Sequence, residues 1–176
     1  MKTIRIETPL TKEIAVTLCV GQKVLLNGAI YTARDAAHYR LVELIRAHKP
    51  LPIPLKDQII YYVGPTPPPP GKIIGSAGPT TSSRLDPYTP YLLEQGLRGM
   101  IGKGERDEEV IKNIMKFKAI YFAATGGAGA LLSQHIRAAK VTAFPALGAE
   151  AIYKLELQDF PLLVAIDTAG RSIFYR

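Results

Sequence analysis

Hydrophobic and polar residues alternate along the first part of the chain. Ile4 and Ile6 are flanked by polar residues, and this period of two predicts a β-strand over 3–7. Short apolar runs predict further strands, and Asn27-Gly28 has the composition of a hairpin turn between two of them. The further strands of this β-rich part are predicted at 16–20, 22–26, 29–32 and 58–63.

The period changes to that of a helix after Arg34. Apolar residues recur at helical spacing over 37–45, which predicts an amphipathic helix that continues to about His48. The first turns of this helix then carry Asp35 and His38, with Arg34 beside them. Three prolines follow and end the helix, because proline lacks the N–H donor that a helix needs. Later helices are predicted at 90–95, 107–116 and 130–136, a turn or short helix at 149–150, and strands at 72–77, 99–104, 119–124, 140–144, 153–157, 162–167 and 172–175.

The order of these elements indicates the fold class. Strands followed by glycine loops and helices are typical of an α/β arrangement. We predict one α/β domain with mixed sheets over residues 1–176, a length that can bury a sizeable core. We interpret the proline-rich run 64–71 as a stiff surface connection inside this domain, with an SH3-type ligand as the alternative.

One stretch, residues 75–84, has the composition of an anion-binding loop. Gly75 and Gly78 allow the backbone to approach a ligand closely. Hydroxyl side chains can cap a helix that begins near Ser82, and the positive end of that helix would face the loop. Arg84 adds a fork of donors suited to a carboxylate or phosphate. A capped turn between a strand and a helix is the structural alternative.

Cations and hydroxyls on loops form the most coherent candidate site. The set that could clamp a dicarboxylate consists of Arg34, Thr80, Arg84 and Lys103. The glycine stretch 126–129 resembles a dinucleotide fingerprint, but the full spacing and the acidic residue about 20 positions onward are not clearly satisfied. His38 is an acid–base group, a metal ligand or, as is more usual for a lone histidine on a helix, a structural hydrogen-bonding residue.

Charge and composition narrow the classes of function. The formal net charge is +7, but lysines and arginines are spread along the chain without a block or an aromatic-interleaved stripe. A small anionic substrate or an acidic partner explains this excess at least as well as nucleic acid. A non-catalytic anion or nucleic-acid binding module stays open as an alternative, and it predicts affinity for DNA or RNA that falls steeply with salt.

Compartment and cofactor expectations come from what the sequence lacks. No apolar run approaches the roughly 20 residues that span a bilayer, and the start of the chain lacks a signal-peptide core, so we expect a cytoplasmic location. Cys19 is the single cysteine, which excludes an internal disulfide and a zinc or iron–sulfur centre held by several cysteines of this chain. Its apolar neighbours predict that Cys19 is buried.

Several strings of the chain carry a resemblance to a known family. They are Thr32-Ala33-Arg34-Asp35-Ala36-Ala37-His38, Gly78-Pro79-Thr80-Thr81-Ser82-Ser83-Arg84-Leu85-Asp86, Met100-Ile101-Gly102-Lys103-Gly104, Gly126-Gly127-Ala128-Gly129-Ala130-Leu131-Leu132, Phe144-Pro145-Ala146-Leu147-Gly148-Ala149-Glu150-Ala151 and Asp159-Phe160-Pro161. Together they resemble the β subunit, or C-terminal domain, of class I iron–sulfur fumarate hydratases and L-tartrate dehydratases. The resemblance covers almost the whole chain in the family's motif order.

This resemblance implies a hydro-lyase that interconverts fumarate and (S)-malate, or a related hydroxy-dicarboxylate pair. The fold that it implies is a swivelling three-layer β/β/α domain. In that family a [4Fe-4S] cluster held by three cysteines acts as a Lewis acid on the substrate. Because this chain has one cysteine, the resemblance places the cluster on a separate α subunit. We expect an α2β2 complex, or a homodimer when the chain is isolated, with no bound nucleic acid or membrane.

The resemblance also assigns site residues one by one. Arg34, Arg84 and Lys103 match positions that hold the substrate carboxylates, and we expect Thr81 beside them. Thr80 matches a position proposed to take the C3 proton, with Lys103 as the second catalytic residue. A threonine hydroxyl is a poor base in water, so Thr80 would need the nearby cations and the helix dipole. Ser82-Ser83 differs from the Ala-Gly of many members, which leaves fumarate versus tartrate open.

Overall fold

The computed structural model of the chain describes residues 2–124 and 127–175. Within these ranges the strands are β1 (Ile4–Glu7), β2 (Lys23–Thr32), β3 (Ile59–Tyr61), β4 (Gly99–Gly102), β5 (Ile120–Ala123), β6 (Ile136–Ala143) and β7 (Ile152–Ile166). The α-helices are α1 (Lys12–Ala15), α2 (Asp35–Arg46), α3 (Thr89–Glu94), α4 (Glu108–Phe117) and α5 (Gly129–Ser133). Two 3-10 helices cover Ser82–Leu85 and Pro145–Glu150.

The strands form one mixed sheet that closes on itself. Its strand order is β1-β2-β3-β4-β5-β7-β6, and the neighbours from β1 to β5 pair in parallel. β7 runs antiparallel to β5, to β6 and also to β2. The β2–β7 pairing joins β2, β3, β4, β5 and β7 into a closed ring. The α/β class is confirmed, while the expected several sheets are a single sheet because the long β7 pairs with both β5 and β2.

Side chains of alternate residues fill two apolar cores, one on each face of the sheet. In β3, Ile59 and Tyr61 belong to the core inside the ring, whereas Ile60 and the following Tyr62 belong to the core on the other face. The second core is covered by α2, α3 and α4, whose buried members include Leu41, Leu92 and Ile114. This layer places the first turn of α2 and the segment before α3 on the same side of the sheet.

Helices α2 and α4 confirm the ranges that the period of hydrophobic residues predicts. α2 occupies the predicted range apart from its last residues, and α4 begins one residue after Asp107, whose side chain caps it by accepting a hydrogen bond from the Val110 amide at 2.8 Å. α4 ends at Phe117, and the next residue, Lys118, has a left-handed backbone with φ 56°. These boundaries follow from local signals, and for that reason the sequence predicts them well.

The predicted hairpin turn at Asn27-Gly28 is wrong. β2 is one continuous strand of ten residues, and a register irregularity against β7 falls at this point. Gly28 has φ +98°, and a Cβ there would collide with Thr8 Oγ1. The pair therefore forms a β-bulge that packs closely against Thr8, the residue that follows β1.

Three other predicted strands are also corrected. Residues 16–20 continue the turn of α1, because the amides of Val16 and Thr17 donate to Lys12 and Ile14, and Cys19 there is exposed rather than buried. The range 72–77 is irregular, and 172–175 contributes only a bridge between Ser172 and Ile166. The predicted strands 153–157 and 162–167 belong to the single strand β7.

In the two described ranges, we find no helix with the length and apolar character that a membrane span requires.

Candidate active site

The loop 75–84 is anchored at its start by Thr66. The Ser76 amide donates to Thr66 Oγ1 at 2.7 Å, and the Thr66 amide donates to the Ser76 carbonyl at 3.0 Å. The Gly75 amide donates to the Thr66 carbonyl at 3.2 Å, and a Cβ on Gly75 would collide with Thr66 Oγ1. A glycine at position 75 is therefore required for the close approach between two backbones.

The second glycine stretch packs against this loop. The Ala77 amide donates to the Gly129 carbonyl at 3.2 Å, and a Cβ on Gly129 would collide with Ser76 Oγ and lie 2.9 Å from the Gly78 nitrogen. Thr125 and Gly126, which begin the predicted second loop, lie outside the described residues. The described part of the second glycine stretch therefore packs against residues 76–78 of the first loop.

Thr80, Thr81 and Lys103 come together through backbone pairing. The Thr80 amide donates to the Tyr62 carbonyl at 2.8 Å. Thr81 forms a parallel bridge with Lys103, in which the Lys103 amide donates to the Thr80 carbonyl at 3.3 Å and the Ser82 amide donates to the Lys103 carbonyl at 2.9 Å. The loop thus extends the sheet beyond the end of β4, and Thr81 and Lys103 are exposed there.

The helix predicted to start near Ser82 is a 3-10 helix of four residues. Thr81 precedes it without a side-chain cap, and the next α-helix begins only at Thr89. A single short turn aligns few peptide dipoles, so the helix contributes little to stabilising an anion near Thr80. The cations at the site must supply most of that stabilisation.

Arg34 and Arg84 meet on one carboxylate. Arg84 Nε lies 3.2 Å from Asp35 Oδ1, and Arg34 Nη2 lies 3.6 Å from Asp35 Oδ2. Arg34 Nε also lies 3.7 Å from Glu150 Oε1. A Cβ on Gly64 would lie 3.0 Å from Arg34 Cδ, so a glycine at this position leaves room for the arginine stem.

Two polar atoms in this cluster are buried without a hydrogen-bond partner among the described residues. They are Arg34 Nε and Asp35 Oδ2, both of which lie beyond hydrogen-bond distance of their ion-pair neighbours. Buried polar groups are usually hydrogen-bonded, and a donor without a partner at a cluster of cations is suited to an anionic ligand.

The charges of the cluster favour an anion on an open face. Arg34, Arg84 and Lys103 are cationic, while Asp35 and Glu150 are the carboxylates that pair with the arginines. Lys103 is exposed, and 56% of the Arg84 side chain is accessible. The cluster is therefore a positive surface that another molecule can cover, rather than an enclosed cavity.

His38 is a buried structural residue in this arrangement. Its Nδ1 lies 2.9 Å from the Arg34 carbonyl, which requires Nδ1 to carry the proton and donate. Burial lowers the pKa of His38 to about 4, although the hydrogen bond to the Arg34 carbonyl opposes this shift. The ring is neutral at pH 7, and its Nε2 is buried without a partner in the described part of the chain. The structure thus favours the hydrogen-bonding interpretation over the acid–base one.

A buried polar network behind the loop was missed by sequence reasoning. Arg106 is 1% exposed, and its Nε donates to Asp86 Oδ1 at 2.6 Å. Its Nη2 donates to Thr89 Oγ1 at 2.7 Å and its Nη1 to Tyr62 Oη at 3.3 Å. Arg106 lies in a run of charged residues that resembles a solvated surface, so no local signal marks it as buried.

Tyr121 belongs to the same network. Its hydroxyl donates to the Gly104 carbonyl at 2.8 Å and accepts from Ser82 Oγ at 2.8 Å. Burial raises the pKa of Tyr121 to about 12, although the Ser82 hydrogen bond opposes the shift, so the hydroxyl keeps its proton. Tyr121 therefore connects the two segments that carry Arg84 and Lys103.

The residues of this chain do not fit a [4Fe-4S] cluster. Cys19 is the single cysteine of the sequence, and it lies exposed in the turn after α1. Within residues 2–124 and 127–175, no three histidine, cysteine or acidic side chains are grouped as metal ligands. A cluster with three cysteine ligands needs thiolates from elsewhere.

Comparison with known proteins places the chain in a family. The family described as Fumarase C-terminus matches residues 1–176. A class I anaerobic fumarate hydratase of Escherichia coli K12 is 41% identical over 157 residues, which are 88% of this chain but 29% of that protein. A protein of Methanocaldococcus jannaschii, provisionally named L(+)-tartrate dehydratase subunit beta, is 38% identical over 171 residues, which are 94% of this chain and 88% of that protein.

A third relative agrees with these two. Fumarate hydratase 2 of Leishmania major is 37% identical over 157 residues, again 88% of this chain and 28% of that protein. The chain thus spans less than a third of the length of the two fumarate hydratases and most of the length of the subunit. The motif order, the described geometry and the match over residues 1–176 lead to one conclusion: this chain belongs to the Fumarase C-terminus family.

Proposed function

We propose that this chain is the β subunit of a hydro-lyase that interconverts fumarate and (S)-malate together with an α subunit. One observation carries the proposal: Arg34 and Arg84 share the Asp35 carboxylate, and Arg84 follows the loop that pairs with Lys103. Two arginines on one carboxylate, with Lys103 on the segment that pairs with the preceding loop, supply three cations that suit a substrate with two carboxylates. Relatives named fumarate hydratase support the same reaction.

The substrate-binding residues in this proposal are Arg34, Arg84, Lys103 and Thr81. A guanidinium offers two parallel N–H donors to a carboxylate, while an ammonium acts as a point charge. The pairing with Asp35 holds the arginines in place until a substrate carboxylate competes for their donors. Thr81 is exposed beside Lys103, where its hydroxyl can donate to the same carboxylate.

Thr80 and Lys103 are the proposed catalytic residues. As an alkoxide, Thr80 would take the C3 proton of malate while the C2 hydroxyl leaves as hydroxide and the C2–C3 double bond forms. It would return the proton to C3 when hydroxide adds to C2 of fumarate. Its backbone is fixed by hydrogen bonds to Tyr62 and Lys103, which set the position of the Cα atom that carries the hydroxyl side chain. The nearby cations would stabilise the Thr80 alkoxide that accepts this proton, with Lys103 as its neighbour across the bridge.

The partner in this proposal is an α subunit that holds the [4Fe-4S] cluster. The relative named subunit beta is similar in length to this chain, whereas the fumarate hydratases are more than three times as long as the matched region. We therefore propose that residues 1–176 are one β-subunit domain of the swivelling three-layer type, in a cytoplasmic α2β2 complex. Two cores on opposite faces of one sheet agree with a layered domain.

Co-expression with a candidate three-cysteine α subunit tests the proposal. The complex is reconstituted anaerobically, malate is supplied, and fumarate is followed by its absorbance. Turnover that requires both chains is expected. A stable, cluster-loaded complex that does not act on malate or fumarate would contradict the proposed reaction.

Tartrate is the second candidate substrate, and the relative named L(+)-tartrate dehydratase subunit beta favours it. Loss of water from tartrate leaves an enol that becomes oxaloacetate, so its product is distinguished from fumarate in the same experiment. A complex that converts tartrate but not malate would change the substrate and keep the reaction class.

A further inference from the structure

The buried network around Arg106 contacts both of the loops that carry the proposed carboxylate clamp. Asp86 directly follows the 3-10 helix that carries Arg84, and it binds Arg106 Nε through Oδ1. Asp86 Oδ2 accepts from the Asp107 amide at 3.0 Å. One carboxylate therefore joins the segment after Arg84 to the segment after Lys103.

The network also reaches the third cation of the clamp. Arg106 lies over the Tyr62 ring, 5.3 Å from its centroid, and the His38 ring meets Tyr62 edge-on at 5.3 Å. His38 donates to the Arg34 carbonyl at the start of α2. Arg106 is thus linked to the segment of Arg34 by a chain of contacts through Tyr62 and His38, in addition to its link through Asp86 to the segments of Arg84 and Lys103.

The hydrogen bonds of the network hold the Arg106 side chain in one position. All three guanidinium nitrogens of Arg106 donate to separate acceptors, and the side chain is inaccessible to solvent. A buried charge with several partners in fixed directions resists movement, because displacement leaves it without compensation. Lysine offers a point charge and cannot reach these acceptors in the same way.

We infer that Arg106 is a positioning residue that holds the segments of Arg34, Arg84 and Lys103 at fixed separations. The inference rests on the proposed function of that clamp, and it adds a residue that does not itself touch substrate. Arg106 acts through Asp86, Tyr62 and Tyr121, whose ring centroid lies 5.0 Å from its guanidinium.

Arg106→Lys tests this inference, with Arg98→Lys as the matched control. Arg98 precedes β4 at the end opposite Lys103, and its side chain is 13% exposed in an ion pair with Asp57 at 3.0 Å. Both variants disturb a shielded arginine next to the same strand. Only Arg106→Lys should loosen the clamp.

Two measurements are made on both variants. In hydrogen exchange of the full chain, Arg106→Lys should speed exchange of the Thr80, Ser82 and Lys103 amides about tenfold relative to Arg98→Lys. In the reconstituted complex, Arg106→Lys should raise KM about tenfold with a smaller change in kcat, because the clamp binds substrate and transition state alike.

Equal exchange of these amides in the two variants would overturn the inference. If the wild-type complex is inactive on malate, fumarate and tartrate, the proposed function fails, and the exchange result alone decides the role of Arg106. Tyr121→Phe replaces Arg106→Lys if the latter does not fold. It removes the hydroxyl between Ser82 and Gly104, and it should speed exchange of the Ser82 amide without changing exchange near Arg98.

Discussion

A shared carboxylate determines how the arginines of the candidate site behave. Asp35 pairs with Arg34 on one oxygen and with Arg84 on the other, so it offsets the repulsion between two guanidinium groups. The same pairing leaves Arg84 mostly exposed and able to rotate towards a ligand. A substitution of Arg84 should therefore change activity with little change in the stability of the fold.

Arg84→Glu should abolish turnover of the reconstituted complex while the fold survives. The substitution replaces a guanidinium that donates to a substrate carboxylate by a carboxylate that repels it. We expect kcat/KM to fall by on the order of a thousandfold. An exposed ion pair contributes at most about 1 kcal/mol, so the urea midpoint should change little.

Arg46→Glu is the control for this reversal. Arg46 is 58% exposed and pairs with Glu43 at the far end of α2, so the change in charge and exposure is matched. Activity of Arg84→Glu equal to that of Arg46→Glu would remove Arg84 from the proposed site.

His38 should make stability depend on pH below neutrality. Its folded pKa of about 4 lies below its ordinary value of 6.5, so between these values the unfolded state binds more protons. The stability that this residue contributes is complete above pH 6.5 and is lost as pH falls towards 4. From pH 7.5 to pH 5 we expect its part of the loss to be about 2 kcal/mol.

Urea unfolding of the wild type and of His38→Gln at these two pH values measures this contribution. The variant should lose less stability over the same interval, because other titrating groups are common to both proteins. An identical loss in the two proteins would show that His38 does not titrate on unfolding.

At the scale of elements, the end of β4 requires a residue without a side chain. A Cβ on Gly102 would collide with Ser82 Oγ and lie 2.9 Å from Tyr62 Cδ2. Ser82 is fully buried and binds Tyr121, so it cannot move aside without breaking that hydrogen bond. The close approach of loop and strand is what allows Thr81 to pair with Lys103.

Gly102→Ala should therefore destabilise the fold and displace the loop. Overpacking of this kind costs about 1–3 kcal/mol, and activity of the complex should fall with it. Unfolding free energies of Gly102→Ala, Ser82→Ala and the double variant form the test.

Ser82→Ala removes the oxygen that meets the new methyl group, so the double variant should lose less stability than the sum of the single variants. Additive losses would mean that Gly102 and Ser82 do not conflict in this way.

At the scale of the whole molecule, we predict that the positive charge serves a small ligand rather than a polymer. The formal net charge of +7 already counts every Asp and Glu, and two of its cations, Arg34 and Arg84, meet at the candidate site. We expect no retention of the chain by DNA or RNA at about 50 mM salt, measured by fluorescence anisotropy. Binding that weakens steeply as salt rises would favour the nucleic-acid alternative.

Much of the fold could be predicted from sequence where the signal is local. α2 and α4 follow from hydrophobic spacing, and the Asp107 cap lies next to the helix that it starts. Arg34, Arg84 and Lys103 were selected as cations on loops and from family motifs, and the structure brings Arg34 and Arg84 onto one carboxylate. Their roles towards substrate stay a prediction.

Other features could not be predicted because their cause lies far away in the chain. Asn27-Gly28 has the composition of a turn, but pairing with β7 and contact with Thr8 make it a bulge. Cys19 lies among apolar residues, yet the turn after α1 exposes it. The 3-10 helix at Ser82 is short because Ser82 is bound to Lys103 and Asp86 is bound to Asp107, so the segment does not continue as an α-helix.

The sequence by itself determined the α/β class, the main helices and the motif order of the family, because each depends on neighbouring residues or on their spacing. Only the tertiary structure decided that β7 closes the sheet into a ring and that Asp35 joins Arg34 to Arg84. It also decided that Arg106 is buried, since a charged side chain is desolvated only where Asp86, Thr89 and Tyr62 meet it together. These contacts join residues distant in the chain, and their energy exists only once the fold has formed.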